Sequence, residues 1–491
     1  MSSTAAASTN HASESLRSQV RSAVLWRSGT QIFGQVIAWA ATFVVIRILS
    51  PSDYGLFAMT QVMLLLLNML NGYGLASAAI RQPELDDRLL RQIFGMMIVL
   101  NLGLAALQFA LAPLVAAYYR QPLIADLLRV QSLLYLVTPF VALPTALLAR
   151  TMDFRRQAQV NLISALAGAG AALLGAIAGW GVWTLVIAPI ALFTTRAIGL
   201  TLAARMWLLP SFDFRGAGTV ARYGGLMTLS QIFWFVQSQA DVVIAGRHLD
   251  PHWLGIYTTS LFLVQIFTNK VVPPLNEVAF SAYARLQHDA TAVASAFTRA
   301  TRVIMVAAMP FYMGLLVTAD PLVPLVLGEQ WREAIPLVQV LAAAMPFMTL
   351  QVLFPPASDA CGKPGIAMRN AITGALVLPV AYLVGVQWGA VGIAAAWLAA
   401  YPLLAAIAAW RTLPAIGGRA SDFVAAILPP VLAGIAMALV VRLVDHALPP
   451  LPPFAELGAL IAVGAVTYGA WLAIFARETL RDLVDLARRR G

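Results

Sequence analysis

Apolar segments long enough to cross a bilayer follow one another along almost the whole 491-residue chain. A membrane core of about 30 Å needs roughly 20 apolar residues per spanning helix. Hydrophobic residues make up 60% of the chain and charged residues 11%, whereas a soluble domain carries about 25% charged residues. The segments do not alternate between polar and apolar positions, as the strands of a membrane barrel do. The sequence therefore predicts an all-α polytopic membrane protein.

Breaks of charge, glycine and proline divide the chain into fourteen predicted spans. The first six are 23–49, 53–79, 92–118, 124–148, 159–178 and 182–206, and the next six are 219–245, 253–282, 294–317, 334–360, 366–386 and 390–410. The last two are 423–444 and 454–475. With the N-terminus inside, 24 of the 32 Lys and Arg residues fall on the cytoplasmic side. Since cytoplasmic loops carry an excess of Lys and Arg, this count predicts that both termini are cytoplasmic.

The chain repeats itself at a separation of 200 residues. RILSPSDYGLF begins at Arg47 after the first span, and RHLDPHWLGIY begins at Arg247 after the seventh. A second pair, Trp180-Gly181 and Trp388-Gly389, precedes the sixth and twelfth spans. Two halves of six spans each enter the membrane in the same direction, so they form parallel repeats around a central cleft. This duplication favours a transporter that works by alternating access over a channel.

These features predict six regions. They are a cytoplasmic tail at 1–22, an N-terminal lobe at 23–206, a cytoplasmic linker at 207–218, a C-terminal lobe at 219–411, two further spans within 420–476 and a basic cytoplasmic tail at 477–491. The basic tail is expected to lie on the anionic inner leaflet.

Polar and ionisable residues inside spans are the candidate site residues. A charge at the centre of a span costs about 2.5–3.5 kcal/mol, so it is expected to face water or a partner. The candidates are Arg27, Gln31, Gln35, Asn68, Asn71, Arg196, Arg222, Trp234, Gln237, Asp241, Gln265, Asn269 and Lys270. The predicted site places them around the cleft, where the cations attract an anionic substrate such as a diphosphate. Amides and the rings of Trp39, Trp234 and Tyr257 suit sugar hydroxyls and sugar faces.

Each candidate also has a structural interpretation. Arg27, Arg196 and Arg222 can extend to lipid head groups, and the asparagines of the second span can hold helices together. Lys270 and Asp241 can form an ion pair with each other or with local partners. Asp241 and Glu277 are the candidates for a coupling ion, because a carboxyl group in a low dielectric exchanges protons near neutral pH. Pro273-Pro274 are expected to break the eighth span, with Glu277 beyond the break.

Several functions are excluded by what the sequence lacks. It has no glycine-rich phosphate loop, nucleophile elbow or paired histidine ligands, so neither an enzyme nor an ATP-driven pump is expected. The single cysteine, Cys361, excludes an internal disulfide and a cysteine metal cluster. We expect no cofactor, metal or nucleic-acid partner, because the net charge of +10 reports membrane topology.

Three stretches resemble the polysaccharide transporter family of the multidrug, oligosaccharidyl-lipid and polysaccharide exporter superfamily. They are SPSDYGLF with its echo DPHWLGIY, and VPLVLGEQWREAIPLVQVLA from Val323. MDFRRQAQVNL from Met152 and VVPPLNEVAFSAYARLQ from Val271 are similar to the exopolysaccharide (colanic-acid-type) subgroup. The resemblance implies two six-helix lobes in a V, two further helices and a cationic lumen, to which Arg27, Arg222 and Lys270 correspond by position.

The resemblance also implies the cargo, an oligosaccharide linked to undecaprenyl diphosphate. The predicted function is therefore a flippase that moves such repeat units across a bacterial inner membrane for exopolysaccharide or lipopolysaccharide biosynthesis. Membrane lipids are its expected surroundings, and polysaccharide polymerase machinery is a further expected partner. The alternatives are a cation-coupled multidrug antiporter and a lipid II flippase of the same superfamily. A membrane-bound glycan polymerase is disfavoured because no outer loop is long enough for its catalytic residues.

Overall fold

The computed structural model describes residues 34–71, 86–213, 218–449 and 451–476, with the backbone alone over 218–232. Over these residues the chain is helical and contains no strand. Helix packing divides the chain into two compact units, Met1–Gln231 and Ile232–Gly491. The division falls inside one long helix. The predicted lobe boundaries, 23–206 and 219–411, stay predictions, as does the V-shaped cleft.

The first unit contains seven described helices and the start of an eighth. They are α1 (Gly34–Ile48), α2 (Pro51–Asn68), α3 (Asp87–Tyr119), α4 (Leu123–Gln131), α5 (Leu133–Arg150), α6 (Phe154–Ile177), α7 (Val182–Ala203) and α8 (Gly218–His248), which continues into the second unit. The predicted fourth span is divided at Ser132, so α4 and α5 together fill its place.

The second unit continues with seven further described helices. They are α9 (Pro251–Leu286), α10 (Ala290–Val326), α11 (Ile335–Ala360), α12 (Pro364–Gly385), α13 (Gly389–Thr412), α14 (Ala420–Ala447) and α15 (Pro453–Phe475). Short 3₁₀ turns at Glu329–Ala334, Val386–Trp388 and Pro414–Ile416 join α10 to α11, α12 to α13 and α13 to α14. Phe297, Phe354 and Phe423 pack together where α10, α11 and α14 meet.

Nine stretches of the described residues are long and apolar enough to cross a membrane, and one of them, Pro364–Ile416, contains both α12 and α13. Wherever a predicted span is described, it coincides with a helix or with the α4–α5 pair. The prediction of an all-helical polytopic membrane protein is confirmed. Three helices are long enough but fall outside the nine: α2 with 18 residues, α8 with 31 and α9 with 36.

The repeated turn is the start of a helix in both halves. Ser50 caps α2 and forms a reciprocal capping box with Asp53, and Pro51 follows as the first helical residue. Asp250 caps α9 by accepting a hydrogen bond from the Trp253 amide at 2.9 Å, and again a proline follows. Such caps satisfy amides that have no partner inside the helix. The matching residues therefore specify the same local structure in each half.

The repeated Trp-Gly pairs have a similar explanation. Gly181, before α7, has φ of +53°, and Gly389, at the start of α13, has φ of +70°. Residues with a Cβ atom rarely adopt a positive φ, so both turns require glycine. A Cβ atom at Gly181 would also lie 2.9 Å from Oδ1 of Asp53, which places the capping box of α2 against the start of α7.

Small residues bring α6 and α7 together. A Cβ atom at Gly168 would lie 2.8 Å from Cβ of Leu192, and one at Gly199 would lie 2.7 Å from Cγ1 of Val160. Close approach through glycine is the usual way in which membrane helices gain van der Waals contact, because lipid tails provide no hydrophobic drive between helices.

The expectation that Pro273-Pro274 break the eighth span is wrong, because α9 runs through both prolines from Pro251 to Leu286. Helix interiors in membranes accept proline when neighbouring groups stabilise the site. Here the Asn276 side chain, one turn further on, donates a 3.1 Å hydrogen bond to the Val352 carbonyl of α11. Glu277 consequently lies in the same helix as Lys270.

Candidate functional site: an amide-lined cavity, a buried carboxyl group and a polar helix face

Four of the predicted site residues lie at or beyond the edge of the described structure. Arg27 and Gln31 are outside the described residues, and of Arg222 only the backbone of α8 is described. Gln35 is described and lies exposed near the start of α1. The remaining candidates fall into three places, one in the first unit and two in the second.

The first place is a cavity of about 510 Å³ in the first unit. It is lined by Asn68 and Asn71, which the sequence singled out, and by Gln61, Gln131, Tyr135 and Thr138, which it did not. The rest of the described lining is apolar and includes the rings of Phe57 and Phe193. The polar groups come from α2, the residues just after it, α4 and α5.

Hydrogen bonds fix several of these groups. Nδ2 of Asn71 donates to Oδ1 of Asn68 at 3.0 Å, and Nε2 of Gln131 donates to Oγ1 of Thr60 at 2.9 Å. Tyr135 donates to Oε1 of Gln108 at 3.1 Å. Oε1 of Gln131 is buried and has no hydrogen-bond partner among the described residues. An acceptor in that state is costly unless a ligand or water reaches it.

Arg196 does not line this cavity, but it is one side chain away. Its guanidinium carbon lies 5.5 Å from the centre of the Phe193 ring, which does line the cavity. A cation over an aromatic face is attracted by the quadrupole of the ring. Arg196 is half-buried in α7 and packs against an aromatic ring of the cavity wall.

The second place surrounds Asp241 in α8, whose side chain is 1% exposed. The Tyr257 hydroxyl of α9 donates to Oδ2 of Asp241 at 2.7 Å, and the Trp397 indole of α13 donates to the Tyr257 oxygen at 2.8 Å. Tyr401 stacks on Trp397 with ring centres 4.8 Å apart. The Tyr257 ring is fully buried and its hydroxyl is bonded on both sides, so the ring is not accessible to a sugar, contrary to the expectation from the sequence.

Asp241 has no ion pair among the described residues, so the pair with Lys270 that the sequence allowed is not formed. Its Oδ1 is buried and has no hydrogen-bond partner within the described part of the chain. An ionised carboxylate in such surroundings carries a large desolvation cost. The site therefore suits a carboxyl group that holds a proton or a bound cation.

The three candidate residues of α8 that have described side chains lie in different surroundings. Trp234 is 54% exposed, whereas Asp241, two turns further along, is buried. Gln237 lies between them against α12, where a Cβ atom at Gly374 would come within 2.7 Å of its side-chain amide. Trp234 therefore lies on the outer surface of the second unit, and Asp241 lies in its interior.

The third place is the polar face of α9. Asn269, Lys270 and Glu277 are exposed, and Gln265 is half-buried. Pro273 and Pro274 have no amide hydrogen, so the carbonyls of Asn269 and Lys270 lose their helical donors. A lysine and two carbonyls without helical partners cannot face hydrocarbon at low cost. This face is suited to water and a polar substrate.

Several groups of these sites were missed by the sequence analysis. Gln61 lies seven residues before Asn68, which is the spacing of one helix face. Gln131 stands inside an apolar segment that was treated as a plain span. These two positions carried a usable signal. Trp397 and Tyr382, by contrast, sit in ordinary apolar helices, and only the fold brings their rings together, with centres 6.1 Å apart.

A further cavity of about 1090 Å³ lies in the second unit at the ends of α9, α10 and α14. Its lining includes Arg299, Arg302 and Arg419 together with Asp422. The sequence treated these arginines as topology signals only. They are on the predicted cytoplasmic side, where basic residues meet the phosphates of the inner leaflet.

The family model described as polysaccharide biosynthesis protein matches residues 44–336, which include α2, α9 and most of the groups described above. The chain belongs to this family of polysaccharide biosynthesis proteins. The family assignment agrees with the resemblance that the repeated turns indicated.

Two curated relatives extend the comparison. The chain is 28% identical over 473 residues to the succinoglycan biosynthesis transport protein ExoT of Rhizobium meliloti, covering 95% of this chain and 94% of that one. It is 23% identical over 333 residues to the lipopolysaccharide biosynthesis protein WzxC of Escherichia coli, covering 67% of each.

Solved structures show the same fold at low identity. The lipid II flippase MurJ, in an inward closed conformation, superposes with a TM-score of 0.72 at 13% identity, covering 92% of this chain and 99% of MurJ. An inward-facing multidrug resistance transporter of the MATE family gives 0.62 at 15% identity, covering 78% and 94%. At these identities the likeness concerns the fold alone.

Proposed function

We propose that this protein flips undecaprenyl-diphosphate-linked oligosaccharide repeat units from the cytoplasmic to the periplasmic leaflet of a bacterial inner membrane. The observation that carries the proposal is the similarity to a polysaccharide biosynthesis transport protein over 95% of the chain. The polar sites described above are what such a cargo needs.

The distribution of polarity among the helices supports transport. The helices α2, α8 and α9 carry Asn68, Asp241 and Lys270 among apolar residues. A membrane helix that carries such groups turns them to protein or to water. A head group made of sugars and phosphates uses such groups.

The cation of Lys270 suits the diphosphate. The side chain is exposed on α9 and forms no ion pair with the described residues. A lysine offers three donors to phosphate oxygens, and an arginine offers a planar fork. We propose that Lys270, with Arg27 and Arg222, attracts the diphosphate while the lipid tail stays in the bilayer.

The carboxyl group of Asp241 suits the coupling ion. It is buried and bonded at only one oxygen among the described residues, and it can therefore take up and release a proton or sodium ion. Ion binding then biases the equilibrium between two states of the second unit. Glu277 is the alternative coupling residue, although its side chain is exposed.

The orientation follows from the charge of the loops. Both termini are placed in the cytoplasm because 24 of the 32 basic residues then lie on that side. The flipped unit is exposed outside, where the polysaccharide polymerase machinery would take it. No covalent bond is formed or broken in this cycle, and no cofactor is required.

The test is rescue of surface polysaccharide in a bacterium that lacks its own repeat-unit flippase. The wild type is compared with Lys270→Ala, Arg222→Ala and Asp241→Asn at matched membrane levels. Arg88→Ala is the control, because its exposed ion pair with Asp213 contributes little to stability. We expect rescue by the wild type and the control and loss of rescue in the other three.

Two outcomes would overturn the proposal. If the well-inserted wild type fails with related repeat units while the cells gain resistance to cationic dyes, the protein is a multidrug antiporter. If it sustains cell-wall synthesis in cells without their lipid II flippase but displays no polysaccharide, its cargo is lipid II.

A further inference from the structure

The described lining of the amide-lined cavity in the first unit is uncharged, although the protein is strongly basic. The chain carries a net charge of +10, yet none of the thirteen described residues that line the cavity is charged at neutral pH. Its volume of about 510 Å³ lies within the range of about 300–1,000 Å³ that is typical of small-molecule sites. A diphosphate or another anion would find no cation among these described residues.

The polar groups of the cavity offer both donors and acceptors. Asn68, Asn71, Gln61 and Gln131 contribute amides, and Thr138 contributes a hydroxyl. Nδ2 of Asn71 and Nε2 of Gln131 are committed to protein partners. Oε1 of Gln131 has no partner in the described structure, although the residue is only 1% exposed. The Gln61 side chain likewise forms no hydrogen bond to a described residue.

The apolar part of the wall adds flat surfaces. The rings of Phe57, Tyr135 and Phe193 line the same cavity as the amides. Hydroxyl groups of a sugar pair with amides, and the C–H face of a sugar ring packs on aromatic carbon. Neither a hydrocarbon chain nor a charged group uses both surfaces, because a hydrocarbon leaves the amides unpaired and a charge lacks a counterion.

From this combination we propose that the cavity is a binding subsite for an uncharged sugar ring of the cargo. This inference rests on the proposed function and adds to it a specificity: the sugar that enters the first unit carries no carboxylate or phosphate. Gln131 accepts a sugar hydroxyl at Oε1, and Gln61 and Asn68 bond further hydroxyls. The diphosphate binds elsewhere, at the cations.

The test uses the purified full-length protein in lipid nanodiscs and free trisaccharides without lipid. The probes are uncharged trisaccharides of glucose, galactose and mannose, and a trisaccharide of the same size that contains glucuronate. Binding is measured by saturation-transfer difference NMR. We expect at least one uncharged trisaccharide to bind, and the glucuronate probe to bind at least about tenfold more weakly, because its carboxylate would be buried without a partner.

Two variants and a control locate the site. Gln131→Leu and Gln61→Ala are each expected to weaken binding by about tenfold, the usual effect of losing one buried hydrogen bond. Gln61→Ala removes no hydrogen bond to a described residue, so it stays informative if Gln131→Leu folds poorly. Gln159→Ala removes the same group from an exposed position outside the cavity and should bind as the wild type does.

The results separate this inference from the proposed function. If the wild type rescues polysaccharide display but binds no uncharged trisaccharide, or if Gln61→Ala and the folded Gln131→Leu bind as tightly as the wild type, the subsite does not exist and the flippase stands. If the trisaccharides bind, both variants weaken that binding and rescue fails, the sugar site stands. The proposed direction or cargo of transport is then wrong.

Discussion

The Tyr257 hydroxyl donates a 2.7 Å hydrogen bond to Oδ2 of Asp241, while Oδ1 of the same carboxyl group is buried without a partner among the described residues. The Trp397 indole holds the tyrosine oxygen from the other side at 2.8 Å. One oxygen of the carboxyl group is thus fixed and the other is available. This asymmetry is what a site needs if it is to bind and release a small ion.

Asp241→Asn is expected to abolish ion-driven flipping while leaving the protein inserted and folded. The amide oxygen can still accept the Tyr257 hydrogen bond, but an amide takes up no proton and carries no charge for a cation. The measurement is flipping of a fluorescent lipid-linked oligosaccharide in proteoliposomes with an imposed proton or sodium gradient.

Tyr257→Phe provides the matched comparison for that experiment. It leaves the carboxyl group but removes the donor to Oδ2, so we expect a drop of about tenfold in gradient-driven rate, in line with the loss of a hydrogen bond to a charged group. If Asp241→Asn flips at the wild-type rate with the gradient applied, the coupling site lies elsewhere, and Glu277→Gln becomes the next variant.

Lys270→Arg should retain most of the transport, whereas Lys270→Met should lose it. Both side chains are close to lysine in length, but only arginine keeps the positive charge for phosphate oxygens. The readout is surface polysaccharide at equal membrane levels. Equal activity of the two variants would show that Lys270 positions the helix and does not bind the diphosphate.

Cys361 reports the orientation of the chain. It is the only cysteine and lies half-buried between α11 and α12, in a loop predicted to be cytoplasmic. A membrane-impermeant maleimide should label it in inside-out vesicles and not in intact cells. Labelling in intact cells would reverse the predicted topology. Cys361→Ser removes the thiol and serves as the unlabelled control. The neighbouring Gly362→Ala is unsuitable as a control because that glycine has a positive φ of 71°, which strains alanine.

The rate of this labelling should depend on pH. Burial raises the pKa of the Cys361 thiol, and the nearby Lys363 opposes that shift only in part. Since the thiolate is the reactive form, less of it is present near neutral pH than for a free cysteine. Labelling should therefore be slower than that of glutathione at pH 7 and should accelerate as the pH rises.

Gly181→Ala should destabilise the protein more than Gly179→Ala. Both glycines have positive φ, at +53° and +74°, so alanine is strained at either position. At Gly181 the new Cβ atom would lie 2.9 Å from Oδ1 of Asp53. At Gly179 no atom lies within 4 Å of the position of the new Cβ atom. Backbone strain alone costs about 1–3 kcal/mol. The measurement is the thermal midpoint by size-exclusion chromatography, and equal midpoints would contradict the contact.

The helices could be predicted from the sequence because a bilayer leaves few alternatives. Every apolar segment of sufficient length must satisfy its backbone internally, and only a helix does so within one segment. The repeated turns were equally readable, since Ser50 and Asp250 specify the same cap through neighbouring residues. Local chemistry was therefore enough to predict the helical spans, the starts of helices and the family resemblance.

The sites could be predicted only in part. Asn68 and Asn71 were identified as polar residues in a span, but their cavity also needed Gln131 from α4 and Tyr135 from α5. The polarity of Gln131 inside an apolar segment was a local signal, whereas the contribution of Tyr135 has no local signature. Asp241 was identified as a buried charge, yet a pair with Lys270 was allowed where the structure shows Tyr257 and Trp397, 140 residues apart in the chain.

The sequence by itself determined that this is a helical membrane protein with matching turns from Arg47 and from Arg247 and with polar residues in particular spans. Those properties follow from hydrophobicity and from neighbours in the chain, which act over one or two helical turns. Only the tertiary structure decided which polar groups share a cavity, which oxygen is left without a partner, and that α9 runs on through two prolines. These depend on side chains from distant helices, and the contact between them exists only once the helices have packed.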